Sequence, residues 1–426
     1  MTARGVLIAG TASRSGKTTV TLGLARALRR FGQQVRCAKS GPDYIDPGYL
    51  SAASGAPCPN LDGWAMDETR LSGLLPKDGL LLVEGAMGLF DGAPPDGTGS
   101  SADIARRLGL PVILVVDCAS MGQSVAAIVH GYTALAPDLN FAGVILNRVG
   151  SDRHARILTT ALADQQVPLV GVLPRNPALH RPSRHLGLIQ ATEMEGVDAF
   201  LDTAADYIAA EIDLDKIIDC ARALKSGADI PRRRQPLGQR IALAQDAAFS
   251  FIYPHLVDDW RAAGAEIHPF SPLADEAPDP DADAIYLPGG YPELHAQHLT
   301  RAGQFRRTMK AAADKGTSIY GECGGYMVLG NAITDARNVA YPMLGLLDLE
   351  TSFAQRKLHL GYRDLTPLRG PFTAPLKGHE FHYATTLYAH GAPLFAARDA
   401  EGTELSPMGL VAGSVSGSFG HVIDCA

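Results

Sequence analysis

The segment at residues 10–19, GTASRSGKTT, constrains the fold more than any other part of the chain. It follows a short apolar run at residues 5–9 and precedes an amphipathic helical pattern at residues 18–30. A glycine-rich loop between a strand and a helix directs backbone N–H groups and the positive end of the helix dipole at phosphate oxygens. Lys17 is placed to reach the terminal phosphates, and the Thr18 hydroxyl is placed to bind Mg²⁺. The segment therefore predicts a phosphate-binding α/β domain.

The spacing in this loop departs from the strict phosphate-loop pattern in one respect. Counting back from Gly16, the first glycine would fall at position 11, but Thr11 stands there and Gly10 lies one residue earlier. The strand and helix on either side still favour nucleotide binding over a turn that binds nothing. We expect the nucleotide to contact the following residues of the loop: Gly10, Thr11, Ser15, Gly16, Lys17, Thr18 and Thr19.

Short apolar runs alternate with helical patterns over the first half of the chain. The runs LLLV at 80–83, VILVV at 112–116 and GVIL at 143–146 are continuously apolar, as buried parallel strands are. This rhythm predicts a doubly wound parallel sheet over residues 1–225. The aperiodic stretch at 226–239, rich in Gly, Pro and Arg, predicts a linker. The rhythm then restarts, with strands at 241–244, 284–287 and 318–320, so residues 240–426 form a second, flavodoxin-like α/β domain.

Composition excludes several classes of function. The net charge of −7 provides no basic surface for nucleic acid. The six cysteines include no Cys-x-x-Cys pair, which argues against a zinc site or a disulfide framework. The longest apolar run, at residues 110–116, is far below the roughly 20 residues that span a bilayer. With no targeting segment recognised, we expect a cytoplasmic protein that binds neither nucleic acid nor membrane.

Acidic residues follow two of the predicted strands. They lie in KSGPDYIDP at 39–47 and VEGAMGLFDG at 83–92. Ligands of open parallel sheets collect beyond the carboxyl ends of the strands, so these acids are expected to meet near the nucleotide and coordinate Mg²⁺. The alternative is that they cap turns, for example at the Asp-Gly sequence of residues 91–92. The acids concerned are Asp43, Asp46, Glu84 and Asp91, of which Asp43 and Glu84 are the predicted metal ligands together with Thr18.

A second chemical motif lies near the other end of the chain, in SIYGECGGYMVL at 318–329. It predicts a strand, a tight turn at Cys323 and a helix. Small residues around a nucleophile at such a turn leave the thiol accessible, and the helix N-terminus favours the thiolate. The alternative is a small hydrophobic cysteine packed in a core. We interpret Cys323 as a nucleophile.

A nucleophilic cysteine needs a base, and thirteen histidines are available. His421 is our choice, because the Gly- and Ser-rich segment before it lets the ring pack against another loop. The alternative for His421 is an ordinary surface histidine near the end of the chain. His379 and His382 in GHEFHY form a rival pair that could provide a metal or substrate site.

The motifs together resemble those of the cobyrinate or hydrogenobyrinate a,c-diamide synthase family of cobalamin biosynthesis. The similar segments are GTASRSGKTT, KSGPDYIDP, EGAMGLFDG, LPGGYPE at 287–293, YGECGGYM and GHEFHY, in the family's order. The first module is also similar to dethiobiotin synthetase. The second resembles class I glutamine amidotransferases that lack a full catalytic triad.

The resemblance implies a two-part reaction. Cys323, with His421 as base, would release ammonia from L-glutamine, with Gly290 and Gly324 as oxyanion donors. The first module would use ATP and Mg²⁺ to convert a substrate carboxylate to an acyl phosphate, which ammonia then attacks. The substrate would be a polycarboxylate corrinoid or related tetrapyrrole, amidated at its c and a acetate groups.

The resemblance also assigns individual residues. It places Asp43, Tyr44, Asp46, Glu84 and Asp91 in the synthetase site, and Asn147 of ILNRV beside adenine. Full-triad amidotransferases carry a glutamate two residues after the histidine, whereas this chain has Ile423 there and Asp424 next. The partner of His421 is therefore open between Asp424, a backbone carbonyl and no group. Candidate residues to bind an anionic macrocycle are Arg181, Arg184, Arg356 and Lys357.

Two competing functions remain at this stage. The same modules could amidate nickel sirohydrochlorin, or another corrinoid position as cobyric acid synthase does. Alternatively, a P-loop regulatory ATPase could be fused to an inactive amidotransferase fold. The Cys323 motif argues against the second reading. A homodimer is a further expectation.

Overall fold

The computed structural model describes residues 3–179, 183–184, 187–224 and 235–426, without the side chains of residues 183, 184, 187 and 188. The chain divides into two compact units, Met1–Ile230 and Pro231–Ala426. Most of the expected linker at 226–239 lies outside the described residues, as do Arg181 and the side chain of Arg184. Within the described parts of the chain, no helix has both the length and the apolar character that crossing a membrane requires.

The first unit alternates strands and helices. Its strands are β1 (Arg4–Gly10), β2 (Val35–Ser40), β3 (Asn60–Leu61), β4 (Leu80–Glu84), β5 (Val112–Asp117), β6 (Phe141–Val149), β7 (Leu169–Pro174), β8 (Ser183–Arg184), β9 (Gly187–Leu188) and β10 (Arg222–Ala223). Its helices are α1 (Lys17–Arg30), α2 (Asp46–Ser54), α3 (Glu68–Gly73), α4 (Ser101–Leu108), α5 (Val125–Leu135), α6 (Asp152–Leu162), α7 (Val197–Glu211) and α8 (Leu214–Cys220).

The main sheet of this unit runs in the order β3-β2-β4-β1-β5-β6-β7, and each of these strands is parallel to its neighbours. β10 adds to β1 in the antiparallel sense. Residues of the central strands such as Ile8, Leu82 and Val115 are fully buried, because helices cover both faces of the sheet. The predicted doubly wound α/β fold is confirmed.

Strand register brings the loops of the predicted site together. In the sheet, Ile8 of β1 and Lys39 of β2 both pair with Glu84 at the end of β4. The phosphate loop follows β1 directly, so it leaves the sheet at the same edge as Lys39 and Glu84. Segments that are distant in sequence therefore meet at one edge of the sheet.

The second unit contains more strands than the sequence analysis predicted. The strands are β11 (Arg240–Ala244), β12 (Glu266–Phe270), β13 (Ala284–Leu287), β14 (Ser318–Glu322), β15 (Ala332–Thr334), β16 (Ala340–Pro342), β17 (Leu349–Ser352), β18 (His359–Pro367), β19 (Leu376–His382), β20 (Thr385–Ala389), β21 (Phe395–Arg398), β22 (Glu404–Met408), β23 (Leu410–Ala412), β24 (Val415–Ser418) and β25 (Gly420–Cys425). The helices are α9 (Pro254–Ala262), α10 (Ala296–Arg301), α11 (Gly303–Lys315) and α12 (Gly324–Leu329).

Three sheets organise these strands. The first, β12-β11-β13-β14-β24-β23, is parallel except for the pairing of β23 with β24, and it contains the predicted strands. The sheets β16-β15-β17-β20 and β22-β21-β18-β19-β25 follow the Cys323 segment, and the sequence analysis did not predict them. A core that includes Trp260, Tyr286, Phe395 and Val422 joins the parallel sheet to the second of these.

Core packing makes a direct prediction for stability. Leu22 of α1 is fully buried, whereas Leu135 at the end of α5 is 71% exposed. Leu22→Ala removes packed methyl groups and leaves a cavity, so it should lower the free energy of unfolding of its unit by about 2–5 kcal/mol. Leu135→Ala should change it by no more than about 0.5 kcal/mol. Urea denaturation of both variants checks this, and equal effects would contradict the packing described here.

Candidate active sites

The phosphate loop is shaped by contacts that require glycine. Gly16 has φ +88°, and a Cβ there would lie 2.2 Å from Nδ2 of Asn147. A Cβ on Gly10 would lie 2.2 Å from Oγ of Ser15. Asn147 Nδ2 donates a hydrogen bond to the Ser15 carbonyl over 2.9 Å, so Asn147 holds the loop. The Tyr132 hydroxyl donates to the carbonyl of Thr11 over 2.6 Å.

A cavity of about 260 Å³ adjoins this loop. Its lining includes the start of α1, the end of β6 and the segment that follows β7. The lining residues are Gly16, Thr19, Val20, Asn147, Arg148, Pro174, Arg175, Asn176, Leu179, Tyr207 and Ile208. The cavity therefore borders the phosphate loop. Asn147, expected beside adenine, is among its walls.

Lys17 and Thr18 begin α1 and face the carboxylate that ends β4. The Thr18 hydroxyl donates a hydrogen bond to Oε1 of Glu84. Burial, together with the positive charge of Lys39, lowers the pKa of Lys17. The loop thus places a lysine and a hydroxyl next to a fully buried carboxylate.

Lys39 is a site residue that the sequence analysis did not identify. Its Nζ lies 2.8 Å from Oδ2 of Asp46 and 3.0 Å from Oε1 of Glu84, and its side chain is 3% exposed. Burial alone would lower the pKa of Lys39, but Asp46, Glu84 and Asp43 together raise it above its ordinary value. The available signal was a lysine at the end of an apolar strand, in the same segment as the acids. A buried lysine requires such partners.

The other predicted acids have differing surroundings. Asp43 Oδ1 accepts hydrogen bonds from the backbone N–H groups of Ile45 and Asp46, at 2.7 and 2.9 Å. Asp43 therefore holds the turn that presents Asp46, and the half-buried Tyr44 lies within that turn. Asp91 Oδ2 accepts from the N–H of Gly88 over 2.8 Å, which is the turn-capping arrangement considered as its alternative. The structure gathers Asp43, Asp46 and Glu84 around Lys39.

The surroundings of Glu84 indicate whether this cluster fits a magnesium ion. The side chain is fully buried, and in the described structure its Oε2 has no hydrogen-bond partner. A buried carboxylate oxygen without a donor is costly unless a cation or another polar group meets it. Mg²⁺ prefers oxygen ligands from one or two carboxylates together with water and phosphate oxygens. Glu84 and the adjacent Thr18 hydroxyl fit that preference.

In the second unit, Cys323 lies on a strained turn between β14 and α12. Its backbone has φ +46° and ψ −99°, a region that non-glycine residues rarely occupy. A Cβ on Gly325 would lie 1.9 Å from the carbonyl oxygen of Leu287, so helix α12 packs against β13 at a distance that only glycine allows. The predicted strand-turn-helix is present, with Cys323 as the N-cap of α12.

His421 contacts this cysteine. It lies on β25, is 1% exposed, and its ring interacts with Cys323. Burial alone would lower the pKa of His421, but Cys323 and Glu322 outweigh burial and raise it to about 9. The structure thus brings together the cysteine and the histidine that the sequence analysis chose from thirteen.

Glu322 is a second residue that the sequence analysis did not identify. It ends β14 immediately before Cys323, and its side chain is 2% exposed. Its Oε2 accepts a hydrogen bond from the Tyr286 hydroxyl at 2.8 Å and lies 3.7 Å from Nδ1 of His421. Its Oε1 accepts from the Tyr320 hydroxyl at 3.1 Å. The available signal was a charge at the end of the apolar run SIYG, the same signal that identified Glu84.

Asp424, one of the open candidates for the partner of His421, has other contacts. β25 contains a bulge between Val422 and Asp424, and Asp424 pairs in register with Lys377. Its Oδ1 accepts from the N–H of Cys425 over 2.8 Å. The charges that raise the pKa of His421 belong to Cys323 and Glu322.

The predicted oxyanion donors lie beside the elbow. A Cβ on Gly324 would fall 2.9 Å from the backbone nitrogen of Gly290, so these two backbone segments are in close contact. Gly324 begins α12, where backbone N–H groups lack intrahelical acceptors. The structure therefore brings Gly290 and Gly324 together next to Cys323.

The structure does not bring His379 and His382 together, because they lie on opposite faces of β19. His379 pairs with His421 across the strands, and burial, with the charges of His421 and Arg363, lowers its pKa to about 3. His382 instead groups with His359 and Glu380. The rings of His359 and His382 stack at 4.6 Å with planes 6° apart. Because a metal binds in the plane of an imidazole ring, parallel stacked rings cannot share one ion in this arrangement.

Of the four cationic candidates for substrate binding, Arg356 and Lys357 lie in the exposed segment between β17 and β18. Arg181 and the side chain of Arg184 are outside the described residues. Both Arg356 and Lys357 are exposed.

Comparisons with known proteins match a domain family in each unit. Residues 6–189 match the CobQ/CobB/MinD/ParA nucleotide binding domain, and residues 240–424 match the CobB/CobQ-like glutamine amidotransferase domain. Together with the phosphate loop and the Cys323 elbow, these matches define an ATP-binding amidoligase with a glutamine amidotransferase domain.

Full-length relatives identify the family. A hydrogenobyrinate a,c-diamide synthase of Brucella abortus biovar 1 (strain 9-941) is 57% identical over 99% of this chain and 98% of its own length. The enzyme of that name from Rhizobium meliloti (strain 1021) is 54% identical over 99% of both chains. The chain belongs to the hydrogenobyrinate a,c-diamide synthase family, which confirms the resemblance seen in its motifs.

Solved structures are similar at a much lower level. One of them is the septum site-determining protein MinD complexed with Mg-ADP from Pyrococcus horikoshii OT3. It is 20% identical, with a TM-score of 0.30, and the match covers 47% of this chain and 94% of that one.

The surroundings of Glu380 predict how stability depends on pH. Burial alone would raise the pKa of Glu380, but the hydrogen bond and charge of His382 and the guanidinium of Arg363 lower it to about 2. A carboxyl whose folded pKa lies below its ordinary 4.5 stabilises the fold above that value and loses this stabilisation as the pH falls toward 2. The full contribution is on the order of 3 kcal/mol.

Glu380→Gln should therefore lower the free energy of unfolding at pH 7, and the difference from wild type should shrink between pH 4.5 and pH 2. Glu404→Gln is the matched control, because its exposed pair with Arg398 is screened by water. Urea denaturation at several pH values makes the comparison. A wild-type advantage that stays constant down to pH 2 would contradict the description of Glu380.

Proposed function

We propose that this chain catalyses the ATP- and glutamine-dependent amidation of the a and c acetate carboxylates of hydrogenobyrinic or cobyrinic acid. The observation that carries the proposal is the Cys323–His421 pair at a strained elbow, in a chain whose other unit bears a phosphate loop beside buried carboxylates. The names of the full-length relatives indicate which macrocycle is the substrate. They favour it over nickel sirohydrochlorin, and the Cys323–His421 pair argues against an inactive amidotransferase fold.

Glutamine hydrolysis is assigned to the second unit. His421 accepts the proton of the Cys323 thiol, and the resulting thiolate attacks the side-chain amide carbon of glutamine. The Gly290 and Gly324 N–H groups donate to the oxyanion that forms, and His421 returns the proton to the leaving ammonia. Water then hydrolyses the thioester to glutamate and frees the thiol.

Carboxylate activation is assigned to the first unit. The loop from Gly10 to Thr19 holds the phosphates of ATP, and the adjoining cavity holds its base, with Asn147 in the wall. Lys17 and Lys39 place positive charge at the terminal phosphate. Thr18 and Glu84, with Asp43 nearby, would hold Mg²⁺, which neutralises phosphate charge when bound.

The chemistry balances in two steps. A substrate carboxylate oxygen attacks the terminal phosphorus of ATP, which gives an acyl phosphate and ADP. Ammonia then attacks the acyl carbon, and inorganic phosphate leaves with formation of the carboxamide. Activation is required because ammonia would only deprotonate a free carboxylic acid. Tyr44, Asp46 and Asp91 are assigned to the surroundings of the macrocycle carboxylate.

The proposal includes the organisation of the chain. Residues 1–225 act as the synthetase domain, residues 226–239 as a linker and residues 240–426 as the amidotransferase domain, in agreement with the ranges that the domain families match. We further propose that the protein acts in the cytoplasm as a homodimer, without nucleic acid or membrane partners.

Cys323→Ser tests the nitrogen source. With glutamine, amidation should fall by about 1,000-fold or more, because the weakly acidic hydroxyl cannot replace the thiolate. With ammonium chloride as nitrogen donor, amidation should persist. Cys425→Ser is the matched control for loss of a cysteine. Mass spectrometry of hydrogenobyrinic acid products, with glutamine labelled with heavy nitrogen in its side-chain amide, follows the transfer, and unchanged labelling by Cys323→Ser would refute the assignment.

Glu84→Gln tests the synthetase site. Amidation should fall by about 100-fold or more with either nitrogen donor, because the buried anion that meets the cation is lost. Glutamine hydrolysis by the second unit should remain. Glu68→Gln, at an exposed position in α3, serves as the control. Equal amidation by Glu84→Gln and wild type across a titration of magnesium would remove Glu84 from the site.

A further inference from the structure

We infer that Glu322 is the positioning residue for His421: it takes the place of the triad acid that this chain lacks two residues after the histidine. This inference rests on the proposed function, since it concerns the base for Cys323. The carboxylate comes from the strand that precedes the nucleophile, whereas full triads take it from the strand that carries the histidine.

The carboxylate of Glu322 is built into the core. It is 2% exposed and accepts hydrogen bonds from the hydroxyls of Tyr286 and Tyr320 and from the backbone N–H of Val422, at 2.8, 3.1 and 3.3 Å. The two tyrosine rings stack at 5.8 Å with planes 8° apart, so the hydroxyls are held side by side. These three donors fix the position of the buried carboxylate.

The imidazole of His421 is equally constrained. A Cβ on Gly289 would lie 2.3 Å from its Cε1, so the backbone at Gly289 closes one side of the ring. The ring of Phe251 lies 6.4 Å away on centroids. Nδ1 of His421 is 3.7 Å from Oε2 of Glu322, and the ring also interacts with Cys323. In this position, Nδ1 faces the carboxylate of Glu322, and Nε2 is the nitrogen left to interact with the thiol of Cys323.

This arrangement favours one tautomer of His421. A carboxylate facing Nδ1 keeps the proton on that atom and leaves Nε2 to accept the thiol proton. It also stabilises the imidazolium that forms with the thiolate. The titratable groups that face His421 are Cys323, Glu322 and, from the neighbouring strand, His379. Glu322 is therefore expected to influence where the proton lies between Cys323 and His421, while Cys323 remains the nucleophile.

The test compares Glu322→Gln with Asp424→Asn, which neutralises another buried carboxylate, three residues after His421. Glutamine hydrolysis by Glu322→Gln should fall by about 100-fold or more in kcat with little change in KM, whereas Asp424→Asn should resemble wild type. Amidation with ammonium chloride should persist in both variants. Equal losses in the two variants, or a change confined to KM, would overturn the inference.

A second readout separates positioning from a structural role. The rate at which iodoacetamide alkylates Cys323, followed by peptide mass spectrometry across pH, reports the thiolate–imidazolium pair. Removing the Glu322 charge destabilises the imidazolium, so the pH midpoint of the alkylation rate should rise by about one unit. At a pH below the midpoint, alkylation should therefore be roughly tenfold slower than in wild type. Glu322→Asp, which keeps the charge, should restore the midpoint. An unchanged midpoint in Glu322→Gln would overturn the inference.

The wild-type protein provides a test that does not depend on a variant folding. Nitrogen NMR of the labelled histidine rings, recorded above the pKa of about 9 where the His421 ring is neutral, should show its proton on Nδ1. A proton on Nε2 would overturn the inference. If Cys323→Ser still hydrolysed glutamine, the proposed function would fail while the tautomer of His421 remained as described, so the two failures are distinguishable.

Discussion

The parallel register of the central strands is the constraint on which both sites depend. In the first unit, Ile8 and Lys39 pair with Glu84, so the phosphate loop, the lysine and the carboxylate leave the sheet at one edge. In the second unit, Leu287 of β13 pairs with Gly321 of β14, which places the segment after β13 beside the cysteine elbow. Backbone hydrogen bonds thereby bring together residues that no sequence spacing links, and the side chains supply the chemistry.

Both sites keep a charged group away from water, and the partners of that charge determine what it can do. Glu84 faces Lys39 and the Thr18 hydroxyl, and it retains an oxygen for a cation. Glu322 faces two tyrosine hydroxyls and an imidazole, so it is suited to influence a proton. An ion of either kind would be costly in the interior without these partners. In the proposed mechanism, the same residue type takes part in phosphoryl transfer in one unit and in acid–base chemistry in the other.

The sequence predicted the fold where its local pattern was strong. Continuously apolar strands and the two glycine-rich turns located β1, β4, β5, β13 and β14, and the choice of His421 agrees with its contact to Cys323. The sheets after residue 330 were not predicted, because strands such as His359–Pro367 have neither a continuous apolar run nor a regular alternation of polar and apolar residues, and most of their residues are at least partly exposed. Lys39 and Glu322 were missed because side chains that they contact lie on other segments of the chain. The sequence of one segment does not reveal such contacts. The separation of His379 from His382 follows from strand alternation, which the sequence could have shown.

The elbow itself explains how an acid next to the nucleophile can serve the same histidine. In a regular strand, consecutive side chains point to opposite faces, so Glu322 and Cys323 would diverge. The backbone at Cys323 leaves the extended conformation, with φ +46°, and redirects the thiol so that both side chains reach His421. The backbone conformation that redirects the thiol thus also allows the strand before it to carry the acid. A triad is defined by the convergence of its side chains and not by the order of its residues in the chain. The imidazole can therefore have a carboxylate neighbour even though the apolar Ile423 stands two residues after the histidine.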